Sequence, residues 1–403
     1  MIKVLTGNEA AAYGAMLCRP KVICAYPITP QSRIAEQLAE FVSQGALDAK
    51  YVPVESEIAS LGYVIGASSG GVRVFTATAS LGLALMHEQL HLASGSRLPI
   101  VMCEVNRSLG VPGGLHAELK DTLSQRDTGW MQFYCESNQE VIDTVIQAYK
   151  ISETLGLPSM VVITGVFLSY LTESTDIPEQ EMVDQFLPPY EPQFRGTGNK
   201  LFRNQPIEEG GYTNSMGQTY ELQKVQESAV DTVLRINEEF EALFGRGYLP
   251  VEEYRCEDAD TVVVMIGSAV GTGKYVVDRL REQGNQVGLV KMKMFRPFPK
   301  ALVRKALGGR KKIAVIERDC IPGQGGVVYQ ELKAALNIPG VEGIPMYGFV
   351  SGLGGSDISP QLIEKAILYT MENDLPEKEV IWLGLGERER GDDDGDRGYV
   401  KIH

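Results

Sequence analysis

The sequence has few of the residues from which metal and redox sites are built. Its 403 residues include only four histidines and six cysteines. No two cysteines are separated by just two or three residues, so neither a zinc knuckle nor an iron–sulfur binding run is present. We therefore predict no metal site on this chain.

Long apolar runs and an excess of positive charge are also missing. No apolar stretch reaches the ~20 residues that a membrane-spanning helix needs, so we predict no membrane span. Lys and Arg number 38 against 52 Asp and Glu, which gives a formal net charge of −14. This balance argues against nucleic acid as the main partner, because nucleic acid requires a basic face. The N-terminal residues lack a cationic start followed by an apolar stretch, so we expect no signal peptide and a cytoplasmic location.

One histidine pair fits a zinc pattern. His87, Glu88 and His91 satisfy HExxH, which on a helix can bind zinc with the glutamate as general base. The surrounding residues are apolar in a way typical of a packed helix, and no further ligand follows. The sequence therefore favours a packed helix over a zinc site.

The chain divides by pattern into α/β units and a connecting segment. Short β-branched runs alternate with helical patterns at the start of the chain, which predicts βαβ units and a parallel sheet buried on both faces. A proline-rich polar stretch and one long helical pattern follow, and we interpret them as an arm or connector rather than a core. A second α/β unit and a charged tail complete the chain. The predicted boundaries are 1–170, 171–257, 258–375 and 376–403.

Three residues are candidates for a site because of where they lie relative to predicted strands and helices. Thr29 and Arg107 follow strand patterns, and the carboxyl ends of parallel strands are where α/β sheets bind ligands. Glu57 opens a helix after the second strand pattern. Each has a simpler alternative: Thr29 as a helix N-cap, Arg107 as a surface residue, and Glu57 as a favourable partner of the helix dipole.

Several motifs, taken together in order and spacing, resemble the α subunit of multi-subunit 2-oxoacid:ferredoxin oxidoreductases of the pyruvate, branched-chain and phenylglyoxylate types. They are YPITPQS, VESEIASLGYVIGAS, TATASLGLALMHE, LPIVMCEVNR and SQRDTGW, and later VVVMIGSAVGTGKYVVDRLREQG, LVKMKMFRPFP, AVIERDCIPGQGG and GLGGSDISP. The resemblance covers about 1–170 and 258–370. It implies an α/β fold with a pyrimidine-type thiamine diphosphate-binding domain, followed by a domain like the C-terminal domain of transketolase.

The resemblance also implies roles for the three candidates. Glu57 matches the family glutamate that hydrogen-bonds N1′ of the aminopyrimidine of thiamine diphosphate. Thr29 and Arg107 match the substrate-binding threonine and arginine, and Arg107 is expected to face the carboxylate of the 2-oxoacid. Asn106 belongs to the same match without an assigned role. The implied reaction is CoA-dependent oxidative decarboxylation of a 2-oxoacid to acyl-CoA and CO₂.

Missing motifs imply partner subunits. The chain has no Gly-Asp-Gly motif followed by asparagine, the family pattern that holds Mg²⁺ and the diphosphate, and no cysteine run for an iron–sulfur cluster. We therefore expect a β subunit to supply Mg²⁺ and the diphosphate contacts, and γ- and δ-type subunits to complete a dimer of heteromers. Clusters on the partners would pass electrons to ferredoxin or another acceptor. Alone, the chain is expected to be inactive.

The loop after Arg107 bears on the substrate. Where pyruvate-type enzymes have bulky residues, this sequence has Gly113 and Gly114, which would open the acyl pocket to a branched or aromatic 2-oxoacid such as phenylglyoxylate. The alternative is a relocated loop with an unchanged pocket. A non-catalytic scaffold or regulatory subunit of the same fold is a further alternative. Against it stands the presence of Thr29, Glu57 and Arg107 together.

Overall fold

The computed structural model describes residues 1–110, 114–192, 213–339 and 343–385. Its strands form a seven-stranded sheet, a six-stranded sheet and a two-stranded sheet. In chain order the strands are β1 Ile2–Thr6, β2 Val22–Cys24, β3 Lys50–Val52, β4 Val74–Thr78, β5 Val101–Val105, β6 Met131–Tyr134, β7 Ser159–Ile163, β8 Thr172–Asp176, β9 Val251–Tyr254, β10 Thr261–Met265, β11 Val287–Met292, β12 Met294–Arg296, β13 Lys312–Glu317, β14 Met346–Val350 and β15 Ile381–Trp382.

Helices separate most of these strands. In the described residues none of them is long and apolar enough to cross a membrane. They are α1 Gly7–Leu17, α2 Ser32–Ser43, α3 Glu57–Ser69, α4 Ser80–Leu85, α5 His87–Gly95, α6 Lys120–Leu123, α7 Asn138–Leu155, α8 Gln180–Phe186, α9 Thr213–Phe244, α10 Ala269–Glu282, α11 Lys300–Leu307, α12 Val327–Leu336 and α13 Pro360–Glu372.

The seven-stranded sheet has the order β12-β6-β7-β5-β4-β2-β3 and is parallel except where β12 joins β6. Side chains of β4 and β5 alternate between two cores, because successive residues of a strand point to opposite faces. Phe75 and Val101 pack with α1, α2 and α7, whereas Val74 and Met102 pack with α3 and α5. This confirms the predicted parallel sheet buried on both faces.

The six-stranded sheet has the order β15-β14-β13-β10-β11-β9, with β9 antiparallel at one edge. Helices α10 and α13 cover one face. The other face shares a continuous core with the first unit, in which Trp130 and Tyr134 belong to the same cluster as Phe295 and Leu332. The two units are therefore joined by a common apolar layer, and the prediction of an α/β fold is confirmed.

The segment predicted as an arm packs more closely than expected. Helix α9 buries one face in the core of the first unit through Ala229, Ile236 and Phe240, each fully buried. Strand β8 pairs with the N-terminal strand β1. The interpretation of an arm rather than a core is wrong for this helix. A polar helix with one apolar stripe gives no sign in the sequence of which core will receive that stripe.

A buried charge cluster also ties the units together. Glu140, in the first turn of α7, accepts hydrogen bonds from Lys291 Nζ at 2.9 Å and from Lys293 Nζ at 2.7 Å. Lys291 also contacts Glu252, and Lys293 donates to the hydroxyl of Thr144. Burial would raise the pKa of Glu140, but the two lysines outweigh it and lower the pKa to about 2.

This depressed pKa predicts acid sensitivity. A carboxyl whose pKa is lower in the folded state than its usual ~4.3 stabilises the fold above pH ~4.3, by about 3 kcal/mol here, and loses that contribution as the pH falls toward 2. Glu140→Gln should remove this pH dependence and cost ~3–5 kcal/mol at pH 7, because the buried Lys293 loses its carboxylate partner and Lys291 loses one of its carboxylates. Urea unfolding at several pH values measures both effects.

The matched control is Glu221→Gln, which breaks an exposed contact with Lys224 on the surface of α9. Surface ion pairs contribute ~0–1 kcal/mol, so its unfolding curve should stay near that of the native chain. If Glu140→Gln kept the native stability and the native acid profile, the cluster would not stabilise the fold.

Candidate active site

Glu57 is the first residue of α3 and is buried, with 7% of its surface exposed. The helix begins here because Ser56, in an extended conformation, caps it by accepting a hydrogen bond from the backbone N–H of Ala59 at 3.2 Å. The cap fixes the direction of the first turn. It therefore turns the Glu57 side chain inward instead of leaving it on the surface.

The carboxylate of Glu57 lies against the first turn of α4. A Cβ built on Gly82 would lie 2.8 Å from Glu57 Oε1 and 2.5 Å from Thr78 Oγ1, so only glycine fits there. Thr78 Oγ1 is buried without a hydrogen-bond partner, and within the described ranges no hydrogen bond or ion pair involves the Glu57 carboxylate. Buried polar groups in native proteins are normally paired, so the unpaired Thr78 hydroxyl beside the Glu57 carboxylate suits a polar ligand.

Arg107 and Thr29 meet at the ends of β5 and β2. Arg107 Nε donates to the carbonyl of Gly114 at 2.9 Å, and Nη1 donates to the carbonyl of Thr29 at 3.1 Å. The guanidinium is half-buried, and the Thr29 side chain is exposed. The structure thus brings together two residues that are 78 positions apart in the chain.

Thr29 is not the N-cap of the following helix. Helix α2 begins at Ser32, and the residue before it, Gln31, makes no side-chain cap hydrogen bond. The carbonyl of Thr29 is instead used to hold Arg107. The N-cap alternative is therefore wrong, because the two prolines of the loop delay the start of the helix.

The glycine pair in the loop is only partly visible. Gly113 lies outside the described residues. Gly114 accepts hydrogen bonds from Arg107 Nε and from the hydroxyl of Ser108, both at 2.9 Å. A Cβ at Gly114 would lie 2.8 Å from the ring of His116, so glycine at this position makes room for that ring. Packing therefore gives a reason for Gly114 that is independent of pocket size.

The HExxH histidines are engaged by their neighbours. His87 Nδ1 lies 2.6 Å from Gln125 Oε1, and the rings of His87 and His91 meet edge to face. Among the residues that the structure describes, no group of three or more His, Cys, Asp or Glu side chains is arranged to hold a metal ion.

Two buried carboxyl groups behind Arg107 were missed by reasoning from the sequence. Asp121 Oδ2 accepts the backbone N–H of Arg107 at 2.8 Å, and Asp121 Oδ1 and Glu104 Oε2 both accept from the amide of Asn106. A signal was present for Glu104, since it is a charged residue inside the otherwise apolar strand VMCEV.

The fold and site define the chain as an α/β protein of two joined units, with a candidate ligand site at the ends of its parallel strands. The model of the thiamine diphosphate-binding family of pyruvate flavodoxin/ferredoxin oxidoreductases matches residues 13–241, and that of pyruvate:ferredoxin oxidoreductase core domain II matches residues 259–363. The chain belongs to the family of 2-oxoacid:ferredoxin oxidoreductase α subunits, as the motifs predicted.

Among similar proteins, the pyruvate synthase subunit PorA of Methanothermobacter thermautotrophicus is 44% identical over 392 residues, covering 96% of this chain and 99% of that protein. The ketoisovalerate oxidoreductase subunit VorA of Pyrococcus horikoshii is also 44% identical, over 391 residues, covering 95% and 98%. The 2-oxoglutarate:ferredoxin oxidoreductase of Magnetococcus marinus shares the fold with a TM-score of 0.72 and 22% identity. That alignment covers 92% of this chain and 65% of the longer Magnetococcus chain.

Proposed function

We propose that this chain supplies the aminopyrimidine-binding half of a thiamine diphosphate site in an enzyme complex. The complex would convert a 2-oxoacid and CoA to acyl-CoA and CO₂. The observation that carries this proposal is the buried Glu57 carboxylate, which faces Gly82 and Thr78 without a protein partner. A carboxylate in this position suits a hydrogen bond to a ring nitrogen of the cofactor.

The residues of this chain would divide the work. When bound, thiamine diphosphate supplies a nucleophilic carbon and a sink for the electrons left by decarboxylation. Glu57 holds N1′ of the aminopyrimidine and shares a proton with it. Glycine at position 82 allows the close approach of Glu57, and the hydroxyl of Thr78 offers a further polar contact beside it.

Arg107 is proposed to bind the substrate carboxylate. A guanidinium has five N–H donors, and here two of them hold the carbonyls of Gly114 and Thr29. Within the described residues the remaining donors have no partner, so they can form the paired hydrogen bonds that arginine makes with carboxylates. The two carbonyl contacts fix the plane of the guanidinium, and Thr29 is proposed to contact the substrate from the adjacent loop.

A partner subunit is proposed to cover the site. Ile58, Leu81 and Leu85 are 46%, 52% and 54% exposed and belong to α3 and α4, the helices that carry Glu57 and Gly82. Exposed apolar side chains grouped beside a site are typical of an interaction surface. We assign this surface to a β subunit that holds Mg²⁺ and the diphosphate. The same proposal includes γ- and δ-type subunits, iron–sulfur clusters on the partners and a dimer of heteromers. It also includes a cytoplasmic location and inactivity of the chain alone.

The substrate is proposed to be pyruvate, 2-oxoisovalerate or a larger 2-oxoacid such as phenylglyoxylate. PorA and VorA relatives are equally similar to this chain, so identity does not separate the first two. The proposal for a larger acid rests on Gly113 and Gly114.

The test is purification of the native complex through a tag on this chain, followed by assays of the three 2-oxoacids with CoA and a ferredoxin or dye acceptor. CoA-dependent oxidation of at least one 2-oxoacid is expected. If the complex contains its partners, the cofactor and the clusters but oxidises none of the three 2-oxoacids, this result would favour a scaffold subunit instead.

Arg107→Lys should raise KM for every 2-oxoacid by at least ~10-fold, because lysine keeps the charge but cannot form the planar fork. Initial rates over a range of each 2-oxoacid measure this. Arg235→Lys, on the exposed face of α9, is the matched control and should leave KM unchanged. An unchanged KM in Arg107→Lys would remove Arg107 from the substrate site.

A further inference from the structure

Two carboxyl groups, Glu104 and Asp121, lie side by side and fully buried behind Arg107. Glu104 is near the end of β5, and Asp121 is in the first turn of α6. Over the described ranges of the chain, no lysine, arginine or histidine side chain forms an ion pair with either of them. Two adjacent carboxylates without a cation cannot both stay ionised when they are removed from water.

The surrounding donors favour the negative charge on Asp121. Its Oδ2 accepts the backbone N–H groups of Arg107 at 2.8 Å and of Ser80 at 3.1 Å. Its Oδ1 accepts from Asn106 Nδ2 at 2.7 Å and from the backbone N–H of Thr122 at 2.9 Å. Four N–H groups directed at one carboxyl stabilise its charged form.

Glu104 has fewer donors. Its Oε1 accepts a longer hydrogen bond of 3.3 Å from the backbone N–H of Ser80, and its Oε2 accepts from Asn106 at 3.0 Å. Burial, the charge of Asp121 and a hydrogen bond with Asp121 raise the pKa of Glu104 well above its ordinary value. Burial also raises the pKa of Asp121, whereas the hydrogen bond from Glu104 lowers it. Tyr134, whose phenol donates to the hydroxyl of Thr122 at 2.9 Å, stays protonated because burial raises its pKa.

The pair connects both parts of the site. Ser80 has a left-handed backbone with φ of +50°, a conformation that non-glycine residues adopt at a cost. Its N–H is held by both carboxyls, and its hydroxyl donates to the carbonyl of Ser108 at 2.6 Å. Ser80 begins α4, which carries Gly82 against Glu57. By accepting the backbone N–H groups of Arg107 and Ser80, the pair thus fixes both the segment that carries Arg107 and the start of α4, which contacts Glu57.

We propose that Glu104 and Asp121 form an acid–carboxylate pair in which Glu104 carries the proton, and that this pair positions Arg107 and the turn at Ser80 for catalysis. The positioning role rests on the function proposed above, whereas the assignment of a proton to Glu104 does not. Both residues act through the backbone, at one remove from the substrate.

The first test is infrared spectroscopy of the full chain at neutral pH. The difference spectrum between native chain and Glu104→Gln should show the loss of one protonated-carboxyl C=O band. Glu317→Gln is the control: burial raises the pKa of Glu317 to about 8, so its own band should disappear in the same way. If the spectrum of Glu104→Gln keeps every protonated-carboxyl band of the native chain, Glu104 does not carry the proton. This conclusion would hold whether or not the complex oxidises 2-oxoacids.

The second test compares amide substitutions in the assembled complex. Glu104→Gln keeps a donor toward Asp121 and should leave KM for the 2-oxoacid within about twofold of native. Asp121→Asn removes the charged acceptor of the Arg107 N–H and should raise this KM by about tenfold or more, with a smaller change in KM for CoA. Glu104→Met keeps the length without a donor and should also raise KM for the 2-oxoacid.

These variants separate positioning from general stability. A purely structural role would lower the thermal midpoint and affect the KM values of the 2-oxoacid and CoA alike. An equal KM for the 2-oxoacid in Glu104→Gln and Asp121→Asn would overturn the assignment of the proton to Glu104. If Asp121→Asn does not assemble, the positioning role is tested by comparing the KM for the 2-oxoacid of Glu104→Met with that of Glu104→Gln. An equal KM in those two variants would overturn the positioning role. Glu317→Gln should leave both KM values unchanged.

Discussion

Glu57→Gln is expected to lower turnover of the assembled complex by at least ~100-fold, the usual loss when acid–base assistance is removed. Glutamine keeps the size of the side chain and one hydrogen bond but cannot share a proton with the cofactor ring. Within the described residues the carboxylate of Glu57 has no hydrogen-bond or ion-pair partner, so the substitution should leave the fold intact. The measurement is kcat for CoA-dependent 2-oxoacid oxidation, with complex assembly checked by gel filtration.

Glu55→Gln is the matched control for this variant. Glu55 lies two residues earlier, before the helix begins, and is exposed. The same chemical change there should leave turnover near the native value. Near-native turnover of the Glu57→Gln complex would remove Glu57 from the chemistry.

Gly82→Ala is expected to reduce turnover by about 100-fold, because small displacements of a catalytic group have effects of this size. The new Cβ would lie 2.7 Å from Glu57 Cγ and 2.5 Å from Thr78 Oγ1, so the Glu57 side chain has to move. Alanine itself is favourable in a helix, so α4 should still form. Turnover and thermal midpoint, measured together, show whether activity is lost while the fold is kept.

Gly66→Ala provides the control within α3. Apart from its chain neighbours and the backbone of its own helix, no described atom lies within 4 Å of a Cβ built on Gly66. Alanine is favoured over glycine in a helix by ~1 kcal/mol, so this variant should keep full activity and gain a little stability. If Gly82→Ala retained native turnover, the close contact between Gly82 and Glu57 would have no functional role.

The parallel sheets were predictable because their pattern is local. Strands buried on both faces are continuous apolar runs, and each run is read within a few residues. Candidate residues at strand ends were likewise accessible, since the carboxyl ends of parallel strands lie on one edge of the sheet. Thr29 and Arg107 are in contact in the structure for this reason. Their roles toward a 2-oxoacid remain predictions for the variants to test.

Other features depended on packing between distant segments. The apolar stripe of α9 was visible, but the core that receives it was not, and the helix was interpreted as an arm. The sequence did not show that Gly114 makes room for the ring of His116, because this contact depends on how the loop folds back. Glu104 was visible as an odd residue in an apolar strand, yet Asp121, its partner, is 17 positions away and belongs to a helix of four residues.

The sequence by itself determined the α/β class, the family and the three candidate residues, because periodicity and short motifs are properties of neighbouring positions. Only the tertiary structure decided that Glu57 is buried against Gly82, that Glu104 meets Asp121, and that Glu140 binds lysines more than 150 positions away. Burial and low dielectric turn such contacts into shifted pKa values and fixed orientations. Those conditions arise only when chain segments distant in sequence pack together and exclude water.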